Sequence, residues 1–398
     1  MRRLIEQAVL LFLLTAFAVS CGPARKGAEE PREPAPEQVI EMEPVKVVAT
    51  EKDDGFDMDV YDAGDLFDRG NELLDKKKCA AAVRIYDRLL KEFSSSSLVV
   101  PTLYNSALCL ERLDRCDEAV KRYKSIYIDY ADSPDAKDAL FRAGGCREKT
   151  GQWMEAEIVF TMLLGRDDID ATEKLEAMAR RGAALVGMGK YEEAEFQLRE
   201  AIAYYRYGTG HEKIVTDYHA AMAQFYLGEI PRLKMYEIKL TENEVEFQRD
   251  LDRKARLLLK AQTHYVLAIR TMNPYWASAA GLRIGKIFAS LYDDIIAVPA
   301  PAWIEKDPEL LQIHMNARHR YIRQLILKAI SVWEETVLMA ERLGMNNEWV
   351  QEVNVQLERV REVLKEADGE AEEVPEMEKV DPVDLEDAGP TPDVAPVG

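Results

Sequence analysis

"GKYEEAEFQLREAI", residues 189–202, carries the periodicity that decides the fold. Its apolar and small residues, Tyr191, Ala194, Leu198 and Ala201, recur at intervals of three and four, the spacing of one helix face. The same pattern returns along the chain. Ala82, Ala119, Ala156 and Ala194 are separated by 37, 37 and 38 residues. Twelve residues before each alanine stands a small residue: Gly70, Ala107, Gly144 and Gly182. Four before those are Leu66, Leu103, Leu140 and Met178. Four after the alanines come Tyr86, Tyr123, Phe160 and Leu198, and seven after come Leu89, Ile126, Leu163 and Ala201. A fixed period of this length marks a stacked array.

The residues at these positions resemble those of the tetratricopeptide repeat family. In that family small residues let two helices approach closely while aromatics and leucines fill the space between them. The usual unit is 34 residues long. Units three or four residues longer resemble those of envelope lipoproteins of the BamD type. The resemblance implies an all-α chain, an α-solenoid of tetratricopeptide-like helix pairs with four units over residues 62–207 and a non-catalytic binding role.

Beyond residue 207 the pattern loosens. "DYHAAMAQFYLGE", residues 217–229, reads as a fifth first helix with Ala223 in the small position, and Pro231 is expected to interrupt it. Long helices are expected over about 242–271, 309–343 and 347–366, with another after Pro274, so residues 208–366 read as a divergent helical repeat or cap region.

The first 21 residues hold a basic start at Arg2 and Arg3, an apolar run from Ala8 to Val19, and Cys21 after a small residue. The run is short for a membrane span and reads as an export signal. Ala18-Val19-Ser20-Cys21 resembles a bacterial lipobox, which implies lipidation of Cys21 and tethering, with Gly22 favouring the periplasmic face of the outer membrane. Residues 22–61 are rich in Pro and acidic side chains and read as a tether, and residues 367–398 as an acidic disordered tail. The whole chain has 52 basic and 72 acidic side chains, a net charge of -20. Such a surface repels phosphate backbones, so no nucleic-acid partner is expected.

No P-loop, GxGxxG, GxSxG or HExxH motif is present, and His314 and His319 stand five apart, off the spacing of a helical metal pair. No catalytic residue, cofactor, metal or small-molecule substrate is assigned. The binding site expected is the groove lined by the first helix of each unit. Phe67, Tyr104 and Phe141 fall 37 apart and would stack in a column. Asn71 and Leu108 follow four residues on, and Glu111, Arg112, Glu148 and Lys149 flank the same face. Such a surface suits an extended peptide or a helix of another envelope protein. The competing expectation is that the aromatics pack between neighbouring first helices.

Four further cysteines follow the repeat: Cys79 and Cys116 are 37 apart, as are Cys109 and Cys146. In the stacking that the family resemblance implies, like-with-like pairs lie too far apart for a disulfide. Cys79–Cys109 and Cys116–Cys146 then fit best. Cys109–Cys116 with Cys79–Cys146 ranks second, and free thiols and metal binding stay open. The function expected is a scaffold of the cell envelope. Alternatives are a BamD-like part in outer-membrane protein assembly, a subunit of a motility or secretion complex, and, more remotely, a peptidoglycan-processing enzyme with its site in residues 209–366.

Overall fold

Aspartates cap the opening helix of the first and fourth units, and one left-handed residue turns the chain between the two helices of each of the four pairs. A computed structural model describes residues 44–368 apart from 53, 54, 209–213 and 215. The signal segment, Cys21, residues 22–43, His211 and the tail from 369 lie outside the described residues. All described elements belong to one unit of the chain, Val45–Gly398.

Four antiparallel helix pairs come first: α1 (Ala63–Asp75) with α2 (Cys79–Glu92), α3 (Val99–Arg112) with α4 (Cys116–Asp129), α5 (Asp135–Lys149) with α6 (Trp153–Leu164), and α7 (Ala171–Gly187) with α8 (Tyr191–Tyr207). Asp62 and Asp170 start α1 and α7 with reciprocal capping boxes through Asp65 and Glu173, satisfying first-turn amides. The turns inside the pairs pass through Lys77, Asp114, Gly151 and Gly189, all at φ between 58° and 74°.

The small position is small because an aromatic or leucine occupies its space. A Cβ on Gly144 would lie 2.5 Å from the Phe160 ring, and Gly70 and Gly182 meet Tyr86 and Leu198 the same way. Tyr86, Tyr123, Phe160 and Leu198 are fully buried. Burial of each such side chain contributes about 2–3 kcal/mol.

The second half keeps this rule with longer spacing. α9 (Tyr218–Glu237) pairs with α10 (Glu244–Arg270), and α11 (Pro274–Ile296) pairs with α13 (Pro308–Arg342) after the short α12 (Ala302–Glu305). α14 (Glu348–Asp368) packs on both α13 and α11. The small position in α9 is Gly228, against Tyr265, rather than Ala223; in α11 it is Gly285, against the buried Trp333. Pro231 does not end α9 but sits buried inside it. Packing against α7, α8, α10 and α11 holds the helix through the lost amide bond. This half is therefore a continuation of the solenoid with an end helix.

The segment expected as a tether to residue 61 carries structure at its end. Strands β1 (Lys46–Lys52) and β2 (Gly55–Tyr61) form an antiparallel hairpin, with Val47 opposite Val60 and Val48 opposite Asp59. Tyr61 anchors it to the first pair. Its ring meets Phe93 edge-on at 6.1 Å, Arg88 covers its face at 4.2 Å, and its hydroxyl donates to Glu92.

Two large apolar cores run through the array. One extends from Cys79 to Ala184 and the other from Leu175 to Val360. They meet on α7, which gives Ala177 and Ala184 to the first and Leu175, Ala179 and Ala183 to the second.

Candidate functional site: the groove of the first helices

The first helices α1, α3, α5, α7, α9 and α11 follow one another, and the residue two before each small position projects along the row. Those residues are Asp68, Asn105, Arg142, Arg180, Tyr226 and Arg283. Several reach back to the preceding first helix. Asn105 donates to Asn71 at 2.9 Å. Arg142 meets Glu111 at 3.4 Å and donates to the Tyr104 hydroxyl at 2.8 Å. Arg180 donates to one oxygen of Glu148 at 2.6 and 3.0 Å and to Glu176 on its own helix at 2.9 Å. Arg283 meets Glu229 at 3.1 Å. The repeat thus builds a ladder of cations, each held by a carboxylate of the unit before it.

Gly145 opens the space that the Arg180 guanidinium fills, for a Cβ there would lie 3.0 Å from Nη2. Around it a cavity of about 450 Å³ lies between α3, α5 and α7, bounded by Glu111, Phe141, Arg142, Lys149, Glu176 and Arg180. Burial pushes the Glu148 and Glu176 carboxyls up in pKa despite Arg180. The second Glu148 oxygen is buried and has no hydrogen-bond partner among the described residues. Next along the row, burial and the Arg180 charge lower the His219 imidazole to about 4, and its Nε2 sits 3.6 Å from Glu176.

The second half turns this row aromatic. Phe225, Tyr226, Tyr275, Trp276 and Trp349 are in mutual ring contact, with centroids 5.1–6.2 Å apart among the touching pairs. Arg283 lies over Phe225 and Trp349 at 6.0 and 5.7 Å. The Trp276 indole N–H is buried with no partner among the described residues.

The residues singled out from sequence divide between wall and rim. Phe67 tilts against Tyr86 and Tyr104 stands edge-on to Tyr123, each half-buried, while Phe141 is buried. Phe67 and Tyr104 thus each pack on the second helix of their own unit, with the Tyr104 hydroxyl turned to Arg142. Asn71 also accepts from Tyr86, Leu108 is half-buried, Arg112 is exposed and Lys149 pairs with Asp114. Glu111 accepts from Tyr123 at 2.5 Å. Reading outward from the small positions by two residues would have found Arg142 and Arg180; the irregular spacing after residue 207 hid Tyr226 and Arg283.

Among the described residues no disulfide is formed: Cys79, Cys109, Cys116 and Cys146 are free, buried thiols. They nonetheless meet as two pairs. Cys109 lies beside Cys79, and Cys146 beside Cys116. Burial first, then its neighbour, pushes the Cys109 thiol up to about 12, and burial raises Cys146 as well.

Residues 102–133 match the family model of the tetratricopeptide repeat. Curated proteins give no match. Among solved structures, a tetratricopeptide repeat protein from Parabacteroides merdae is 16% identical, with 75% of this chain and 98% of that chain covered and a TM-score of 0.36. YrrB, described as a TPR protein with an unusual peptide-binding site, is 19% identical over 53% of this chain and 92% of its own, with a TM-score of 0.33. A Rap protein complexed with Competence and Sporulation Factor is 15% identical over 76% and 75%, with a TM-score of 0.33. The fold is a tetratricopeptide-type α-solenoid.

Proposed function

We propose that the chain is a non-catalytic scaffold that holds an extended peptide or a helix of another protein in the groove of its first helices. The observation that carries this is the cavity between α3, α5 and α7, where Arg142, Arg180, Glu111 and Glu176 present charge of both signs beside the packed wall of Phe141. Side chains already fixed by neighbours lose little entropy when a partner docks. The partner is an envelope protein, and the chain is exported, lipidated at Cys21 and held at the periplasmic face of the outer membrane. The basic start, apolar run and lipobox-like ending support that placement. In that oxidising setting the two thiol pairs close as Cys79–Cys109 and Cys116–Cys146. Non-reducing peptide mapping of protein from the envelope reads this directly, and a Cys79–Cys116 link would contradict it.

The groove is tested by photo-crosslinking from position 104 or 142 in solubilised membranes, with position 124 on α4 as a control. A partner captured only from the groove positions, and lost in Arg142→Glu with unchanged melting, supports the reading. Equal capture from all three positions removes it. Capture of barrel-assembly components would identify the BamD-like alternative as the process served.

A further inference from the structure

We propose that the chain's own acidic segment, residues 370–387, docks in a basic basin formed by α8, α9 and α10. The basin is a cavity of about 710 Å³ bordered by Lys234, Lys239, Arg249, Arg253, Arg256 and Lys260, against only Glu237 and Asp250. In a chain of net charge -20 this is an inverted patch.

Its cations are incompletely matched. Lys234 meets the exposed Glu192 at 3.1 Å, and Arg249 and Arg253 share the single carboxylate of Asp250 at 3.1 and 3.7 Å. Lys239, Arg256 and Lys260 have no hydrogen bond or ion pair among the described residues. Arg249, Arg253, Arg256 and Lys260 are spaced four, three and four apart, so one face of α10 carries four like charges in a row. Like charges at that spacing oppose the helix. An anionic occupant relieves this, and the floor of Tyr191, Ile238 and Leu257 offers apolar contact beneath it.

Residues 370–387 supply the complement: nine carboxylates and one lysine, interspersed with Val374, Met377, Val380 and Leu385. The segment follows α14, which is linked to the basin's helix α10 through α11. Arg359 of α14 meets Asp293 of α11 at 3.3 Å, and the adjacent Asp294 meets the buried Lys254 of α10 at 2.6 Å, next in sequence to Arg253. Twenty extended residues reach about 65 Å, ample to cross from there.

Carbodiimide cross-linking of the full chain at low salt tests the contact. Isopeptide links are expected from Lys239 and Lys260 to residues 370–387 within one molecule. Their yield should fall about tenfold in Arg249→Glu/Arg253→Glu/Arg256→Glu and at high salt. A second readout leaves the folded residues untouched: changing Glu370, Glu372, Glu373, Glu376 and Glu378 to Gln should speed acylation of Lys239 and Lys260 about threefold, the effect expected from removing a screened surface contact. Links no richer than those to Lys121 and Lys124 on α4, links only between molecules, or lysine reactivity unchanged by the glutamine variant would overturn the proposal.

Discussion

At the scale of single residues, the turns inside the pairs show how the repeat tolerates unequal parts. Lys77, Asp114, Gly151 and Gly189 occupy one position and one left-handed conformation, yet only two are glycine. A side chain in that region costs roughly 1 kcal/mol, less for Asp, which bonds locally. Lys77→Gly is therefore expected to stabilise the first pair by about 0.5–1 kcal/mol, and Gly151→Ala to destabilise the third by about 1 kcal/mol. Denaturant unfolding followed by hydrogen exchange in α1–α2 and α5–α6 measures both; a destabilised Lys77→Gly would show that the lysine side chain has a role the turn geometry does not explain. The cysteines make the complementary point. Their spacing of 37 puts Cys79 and Cys116 at one repeat position and Cys109 and Cys146 at another, whereas whether sulfur joins sulfur depends on oxidant, which no spacing encodes.

Among elements, legibility followed regularity. The four pairs were readable because small, aromatic and leucine positions repeat at a nearly fixed interval. In the second half the interval stretches, so Ala223 stood in for Gly228 even though the same close approach governs both. Pro231 misled because local preference yields when a helix is packed on several sides. The hairpin was missed for a different reason. Among the described side chains Val48 and Tyr61 turn toward the helices while Val47 and Val60 on the opposite face are exposed, so no clean polar-apolar alternation marks it. Its hold on the array runs through Tyr61, which is buried under Arg88 and against Phe93. Tyr61→Ala is expected to cost about 3 kcal/mol locally, releasing β1 and β2 and exposing the end of α2. Limited proteolysis with cleavage between residues 46 and 62 would report it, and resistance equal to that of the parent chain would argue that other contacts hold the hairpin.

For the molecule as a whole, the buried ionisable groups set a pH response. Burial lowers the imidazoles of His219 and His264 to about 4, from an ordinary value near 6.5, with Arg180 and Arg199 respectively adding to the effect. Between those limits the unfolded chain takes up protons that the folded chain refuses, so their stabilisation is whole above about 6.5 and is lost as pH falls toward 4. Glu148 and Glu176 act in the opposite sense, since burial raises them and the folded state gains as acid protonates them. His264→Gln lies apart from those carboxylates, beside Gln224. It should flatten the acid loss by about 1–3 kcal/mol, read from melting temperature against pH. An unchanged slope would mean that His264 gains its proton without unfolding.

The double membership of α7 bears on how the chain can be divided. A fragment ending before residue 171 would strip the first core of Ala177 and Ala184, and one beginning after residue 187 would strip the second of Leu175, Ala179 and Ala183. Neither cut leaves a finished surface. Soluble pieces must therefore overlap, 62–207 and 171–368, each carrying its own copy of α7, and the two cannot reassemble by simple addition because both would claim the same seat.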